Sequence, residues 1–178
     1  MKKASCILLV LVSLFVLVGC SGGKTPANAD PIKMGRVEHA AHGTKCFAVA
    51  VVAVQGDTIV GASLDEYQFM STDVATGVPN ADADFAKNFA DPAVVLASKR
   101  ANADYYSEHM TEAAGATKRL DEQYDTIEAY VVGKTVAELE STLSENDGAG
   151  MIDAVSSVTL VDTKGYVEAL VAAAKAAK

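Results

Sequence analysis

The stretch Asp153-Ala154-Val155-Ser156-Ser157-Val158-Thr159 gathers small hydroxyl residues just ahead of an apolar stripe, Val167, Leu170, Val171 and Ala174, that recurs at one-face helical spacing. Asp162 or Thr163 is placed to cap that helix, so the Thr159 hydroxyl falls about one turn upstream of a helix N-terminus. Free backbone N–H groups and the positive end of the helix dipole favour a phosphate at such a place, and Lys164 adds a cation. The chemistry within reach is phosphate or phosphoester binding. Ser and Thr ahead of a helix also serve simply as caps and turn formers, so the residue types by themselves leave both readings open.

A second grouping is Val37-Glu38-His39-Ala40-Ala41-His42-Gly43-Thr44-Lys45-Cys46. Two imidazoles and a thiol are good zinc or copper ligands. The H-x-x-H-x-x-x-C spacing matches no established site, however, and no fourth ligand is evident nearby, so the stretch is read as a strand edge and surface turn with no metal expected. His109 stands far along the chain.

The Asp-x-x-Ser-x-x-Thr pattern followed by an Ala-rich helix resembles the C-terminal signature of the bacterial FMN-binding domain family, approximately Asp-x-x-Ser-Gly-Ala-Thr. Covalent members carry FMN on the last Thr, through a phosphoester installed by an extracytoplasmic flavin transferase. The resemblance implies Thr159 as the acceptor, with Asp153 and Ser156 as supports; Ser157, within the pattern, and Lys164, by its place near the helix start, complete the expected cofactor-binding set. Ser157 stands where the family has Gly, and Val158 where it has Ala. Gly reaches backbone angles that Ser disfavours, which puts the shape of the loop and its recognition by a transferase at issue. The resemblance extends to the hairpin described next and to Ser98-Lys99-Arg100, Tyr106, Met110, Gly115 to Thr117, and Tyr130 to Thr135, spanning most of the domain. It implies an FMN-binding electron carrier rather than an enzyme with its own substrate, working with extracytoplasmic redox partners. The alternative is a binding or structural lipoprotein on the same fold without flavin.

The elements that must position these residues are legible in outline. Phe47 to Val54 is an apolar, β-branched run, Gln55-Gly56-Asp57 supplies turn chemistry, and Thr58 to Leu64 resumes strand character, giving a β-hairpin whose first strand is expected at the centre of a sheet. Asp65 to Met70 continues the second strand with aromatic and sulfur groups suited either to a flavin ring or to core packing. Ser71 to Ala83 reads as a polar loop, Val94-Val95-Leu96 as a strand, and Asn102 to Ala114 as a helix ended by Gly115. Tyr105 and Tyr106 are taken as packing residues.

Lys118 to Val132 is a firmer helix, with Leu120, Tyr124, Ile127 and Val131 on one face and Gly133 as its stop. Thr135-Val136-Ala137-Glu138 is a capping box opening another helix, and Ser144 to Gly150 reads as a polar loop. Gly133-Lys134-Thr135 is no phosphate loop, because position 128 is Glu where that motif needs Gly. The expected architecture is a single α+β domain, an antiparallel hairpin-based sheet packed with helices, over residues 35–178.

Ahead of it, Met1-Lys2-Lys3, an apolar core from Ile7 to Val18 and Leu17-Val18-Gly19-Cys20 form the parts of a lipoprotein signal peptide over residues 1–19. Residues 20–34 then read as a flexible tether from a lipidated Cys20. The expected location is the cell membrane, lipid-anchored on the extracytoplasmic side, with the membrane itself as a partner through the lipid. Removing Lys2 and Lys3 makes a chain of formal charge −8 more acidic still, which disfavours nucleic acid. Of the cysteines only Cys46 stays free in the domain, so no internal disulfide forms and the core carries the stability.

Overall fold

A computed structural model describes residues 29–178; the expected signal peptide, Cys20 and the expected tether up to residue 28 lie outside the described residues. Four strands run in the order of the chain, each antiparallel to the next: β1 (Ile32–His39), β2 (Cys46–Gln55), β3 (Thr58–Ser71) and β4 (Val94–Ser98). The hairpin turns on Gly56, whose positive φ of 64° is a conformation Gly adopts without steric penalty. β2 is central, as its apolar run requires. It alternates, though, with Ala48, Ala50, Val52 and Val54 buried and the other face half-open.

β1 corrects one boundary. Its first residues, Ile32 to Met34, belong to the stretch read as tether, yet they pair in register with Gln55 to Ala53.

Five helices follow the sheet: α1 (Ala103–Ala114), α2 (Leu120–Val131), α3 (Val136–Glu145), α4 (Gly148–Ala154) and α5 (Thr163–Lys175). α5 lies along β1 and β2, and α2 packs against β3, forming one α+β domain. The close seat of α5 is written in small residues. A Cβ on Gly35 would stand 1.8 Å from the Ala173 carbonyl oxygen, and one on Gly165 would stand 2.2 Å from that of Ala41. The core joins Ala48, Val52, Ile59 and Leu64 of the sheet to Tyr124, Ile127, Val167 and Leu170 of the helices.

The α2–α3 joint is tied to the start of β3. Ile59 donates to the Lys134 carbonyl at 3.0 Å, and Gly133 donates to that of Ile59 at 2.8 Å. Thr135 and Glu138 make the reciprocal capping box that the sequence predicts. α4 corrects the polar-loop expectation: Asp147 accepts from the Gly150 N–H at 2.8 Å and starts a helix where Gly and acidic residues mask the helical pattern. Among the described residues, no helix is long and apolar enough to cross a membrane.

Candidate functional site

Asp153 occupies the last turn of α4, and its carbonyl accepts from the Ser156 N–H at 3.2 Å. The chain then crosses to α5 through Ser156, Ser157 and Thr159, all exposed, with Val155, Val158 and Leu160 turned into the core between them. Val158 fills core space. Ser157 has φ 78°, the left-handed conformation that favours Gly. The loop therefore holds at Ser157 a backbone conformation that Gly would adopt without steric penalty.

Thr159 is held by a residue the sequence reading passed over. Gln123, buried on α2, accepts through its side-chain oxygen from both the Thr159 N–H at 2.7 Å and the Thr159 hydroxyl at 2.9 Å. Its amide nitrogen donates to the Lys118 carbonyl at 3.3 Å. Lys118 also supplies the loop's cation, donating through Nζ to the Ser157 carbonyl.

Lys164, the cation expected there, is placed elsewhere: its ammonium donates to the Asn146 carbonyl at 2.9 Å, between α3 and α5. Asp162 takes the position before α5 without capping it; Thr163 instead bonds back to the Leu160 carbonyl at 2.6 Å. A pocket of about 190 Å³ runs from Thr159 past Gln123 to Met110 and Gly115. A wider cleft, of about 520 Å³, lies on the other face of the sheet between Phe47, Tyr67, Phe69 and Leu96 and shares no lining residue with it. Tyr67 stacks on Phe47 there with ring centroids 5.6 Å apart, while Met70 is buried in the core.

The second grouping is drawn into a buried ionic cluster. Glu66, on the core face of β3, is fully buried, as is Lys99 just beyond β4. Glu66 Oε2 accepts from Lys99 Nζ at 2.5 Å and from the Tyr166 hydroxyl at 2.9 Å, and His42 Nδ1 stands 3.7 Å from it. Lys99 Nζ also lies 3.4 Å from His42 Nδ1 and 4.6 Å over the Tyr106 ring. His42 Nε2 faces Asp162 at 3.4 Å.

Burial draws the Lys99 ammonium down, but its hydrogen bond to Glu66 and the Glu66 charge outweigh this and hold it above the ordinary lysine value. Burial, reinforced by the charge of Glu66, pushes the Cys46 thiol up to about 11. His39 ends β1, and its carbonyl accepts from Ala41 in the turn. The signal that could have found Glu66 is strand parity: it shares a face with Leu64 and Met70, where an acid needs a partner.

Comparison with known families, with curated proteins and with solved structures finds no match to this chain. A functional reading accordingly rests on the residues and geometry above.

Proposed function

We propose that the protein is a membrane-anchored, extracytoplasmic flavoprotein that holds FMN at the Asp153–Thr159 loop and carries electrons. The observation that carries the reading is the left-handed Ser157. A non-Gly residue in this conformation is held there at a cost of about 1–2 kcal/mol, and such strain concentrates at functional sites. Here it falls at the family's Gly position, two residues before an exposed Thr159 whose hydroxyl is oriented by Gln123. Lys118 beside the Ser157 carbonyl offers charge compensation to a phosphate in a chain that is otherwise acidic.

Bound flavin would supply one- and two-electron transfer, while the chain supplies binding and orientation. Lys118 and the exposed Thr159 are the residues that would hold the phosphate end of the cofactor. The pocket, at about 190 Å³, is smaller than the roughly 300–1,000 Å³ usual for enclosed ligands and does not surround an isoalloxazine. That size favours the second reading, a binding or structural lipoprotein without flavin.

The test is the visible spectrum of the membrane-extracted protein, followed by denaturing electrophoresis after expression with a competent flavin transferase. Flavin fluorescence that survives denaturation in the parent and is lost in Thr159→Ala supports covalent FMN. Flavin released by denaturation from both supports non-covalent binding, and no flavin in either state upholds the second reading. The anchor is tested separately, since Cys20→Ala should release the chain from the membrane fraction or block maturation. Unchanged membrane binding and electrophoretic mobility would refute the lipid anchor.

A further inference from the structure

The geometry points to a divalent transition-metal site, best suited to zinc, formed by His42, Cys46 and Glu66. These residues come from the β1–β2 turn, the start of β2 and the core face of β3. One ligand atom from each lies within 4.8 Å of the other two. A tetrahedral zinc ion with bonds of about 2.0–2.3 Å spaces its ligand atoms about 3.3–3.8 Å apart, so side-chain rotations close the set.

Three features, independent of the spacing, support it. Glu66 is fully buried and its Oε1 has no hydrogen-bond partner, while Oε2 is occupied by Lys99 and Tyr166. A buried acceptor left unmade is costly, and a cation satisfies it. Asp162 faces His42 Nε2 at 3.4 Å, so an Nε2–H directed at this carboxylate leaves the Nδ1 lone pair pointing toward Glu66 and Lys99. A carboxylate behind a histidine in this way fixes the tautomer and strengthens the imidazole as a ligand. Finally, the His42 side chain is 45% exposed and Cys46 is partly so, which gives the ion a route from solvent to a buried carboxylate.

The charged and titratable groups facing the site are Lys99, Asp162 and Tyr166. Lys99 is the one opposing charge; it keeps its bond to Oε2, while its 3.4 Å contact with His42 Nδ1 yields to the ion. Thiolate and imidazole select zinc, copper or cobalt over magnesium and calcium. Binding balances simply: the Cys46 S–H proton leaves to buffer, the thiolate donates its electron pair to the ion, and nothing is oxidised. Three protein ligands leave a fourth position open to water or to an outside ligand. The site does not rest on the flavin reading.

The test is a cobalt titration of the purified full chain, freed of metal and read as a difference spectrum, with zinc as competitor. We expect one cobalt per chain, a thiolate-to-cobalt charge-transfer band, displacement by zinc, and release of one proton measured by calorimetry in two buffers. Cys46→Ser should abolish the band, His42→Ala should weaken binding at least tenfold, and Asp162→Asn should weaken it about 10–100-fold. His39→Ala should bind as the parent does. His42 and Cys46 are partly exposed, so these variants keep the fold, and circular dichroism verifies that. Absence of a saturable cobalt spectrum, a band that persists in Cys46→Ser, or equal affinity in His42→Ala would overturn the site.

Discussion

Ser157 is where a single backbone angle sets residue type against loop conformation. Its type says turn or cap; its φ of 78° says that the surrounding loop imposes a conformation its own Cβ resists. Ser157→Gly relieves about 1–2 kcal/mol of strain and gives back roughly 0.5–1 kcal/mol in unfolded-chain entropy. Urea unfolding should therefore find it as stable as the parent, or more stable by up to about 1.5 kcal/mol, while Ser157→Val, β-branched, should lose stability. If Gly were destabilising by more than about 1 kcal/mol, the loop would not be strained there. Site residues were legible only where they sat in a pattern. Thr159 was visible through Asp-x-x-Ser-x-x-Thr, whereas Gln123 reaches Thr159 from 36 positions away and Lys118 reaches Ser157 from 39, separations that periodicity does not register. Glu66 and Lys99 are likewise joined only by the strand pairing that lays β4 against β3.

The elements were legible where local chemistry and tertiary packing agree. The hairpin, β4, α1 with its left-handed Gly115, α2, the capped α3 and α5 all follow turn residues and apolar spacing. α4 was hidden because Gly148 and Gly150 depress helix propensity, and the Asp147 cap with the buried Met151 overrides them. The start of β1 was hidden because Ile32 and Met34 stand exposed at a sheet edge beside a stretch of Gly, Pro and Ala.

Two predictions belong to this scale. Gly35→Ala sets a Cβ against the α5 backbone and should cost about 3 kcal/mol in chemical unfolding. Gly61→Ala, whose Cβ would meet only the Ala53 Cβ at 3.6 Å, should be nearly neutral; equal effects would mean that α5 does not seat on β1 as described. Thr135→Ala removes a cap and should cost about 1 kcal/mol near neutral pH. The Thr135 N–H and hydroxyl hold the Glu138 carboxyl below its ordinary value, so the stability it adds is present above the unfolded value and lost as pH falls through the folded one. Thr135→Ala keeps the N–H that makes the larger share of this shift, so Glu138→Gln reads it: the gap between parent and Glu138→Gln should narrow in acid, and a gap independent of pH would exclude the reciprocal box.

Across the whole molecule, Glu66 joins the sheet to the segment after β4 through Lys99 and to α5 through Tyr166, and Tyr166 in turn meets Tyr124 of α2 with hydroxyls 3.5 Å apart. Removing one partner of the buried ion pair, as in Lys99→Met, should cost about 3–5 kcal/mol because it strands a buried charge. The double variant Lys99→Met with Glu66→Gln should recover part of the loss. The same packing sets the response to alkali. Burial, helped by the charge of Glu66, raises the Tyr124 phenol far above its ordinary value, and burial together with the neighbouring Tyr124 does the same for Tyr166. Both stay protonated in the folded chain, whereas in the unfolded chain they ionise near their ordinary value of 10.0. Above that pH the unfolded state binds fewer protons than the folded one, so stability falls as pH rises, by about 1.4 kcal/mol per pH unit for each such group. Unfolding free energies measured by urea titration from pH 8 to 11 should decline first through Cys46, whose thiol rises from its ordinary 9.0 to about 11 on folding, and more steeply above pH 10 as the two phenols join. Tyr124→Phe, which keeps the ring and loses the titrating hydroxyl, should make the decline shallower by one proton's worth of slope. A parent whose stability is unchanged through pH 11, or a Tyr124→Phe slope equal to the parent's, would show that the phenol is not sealed in the core.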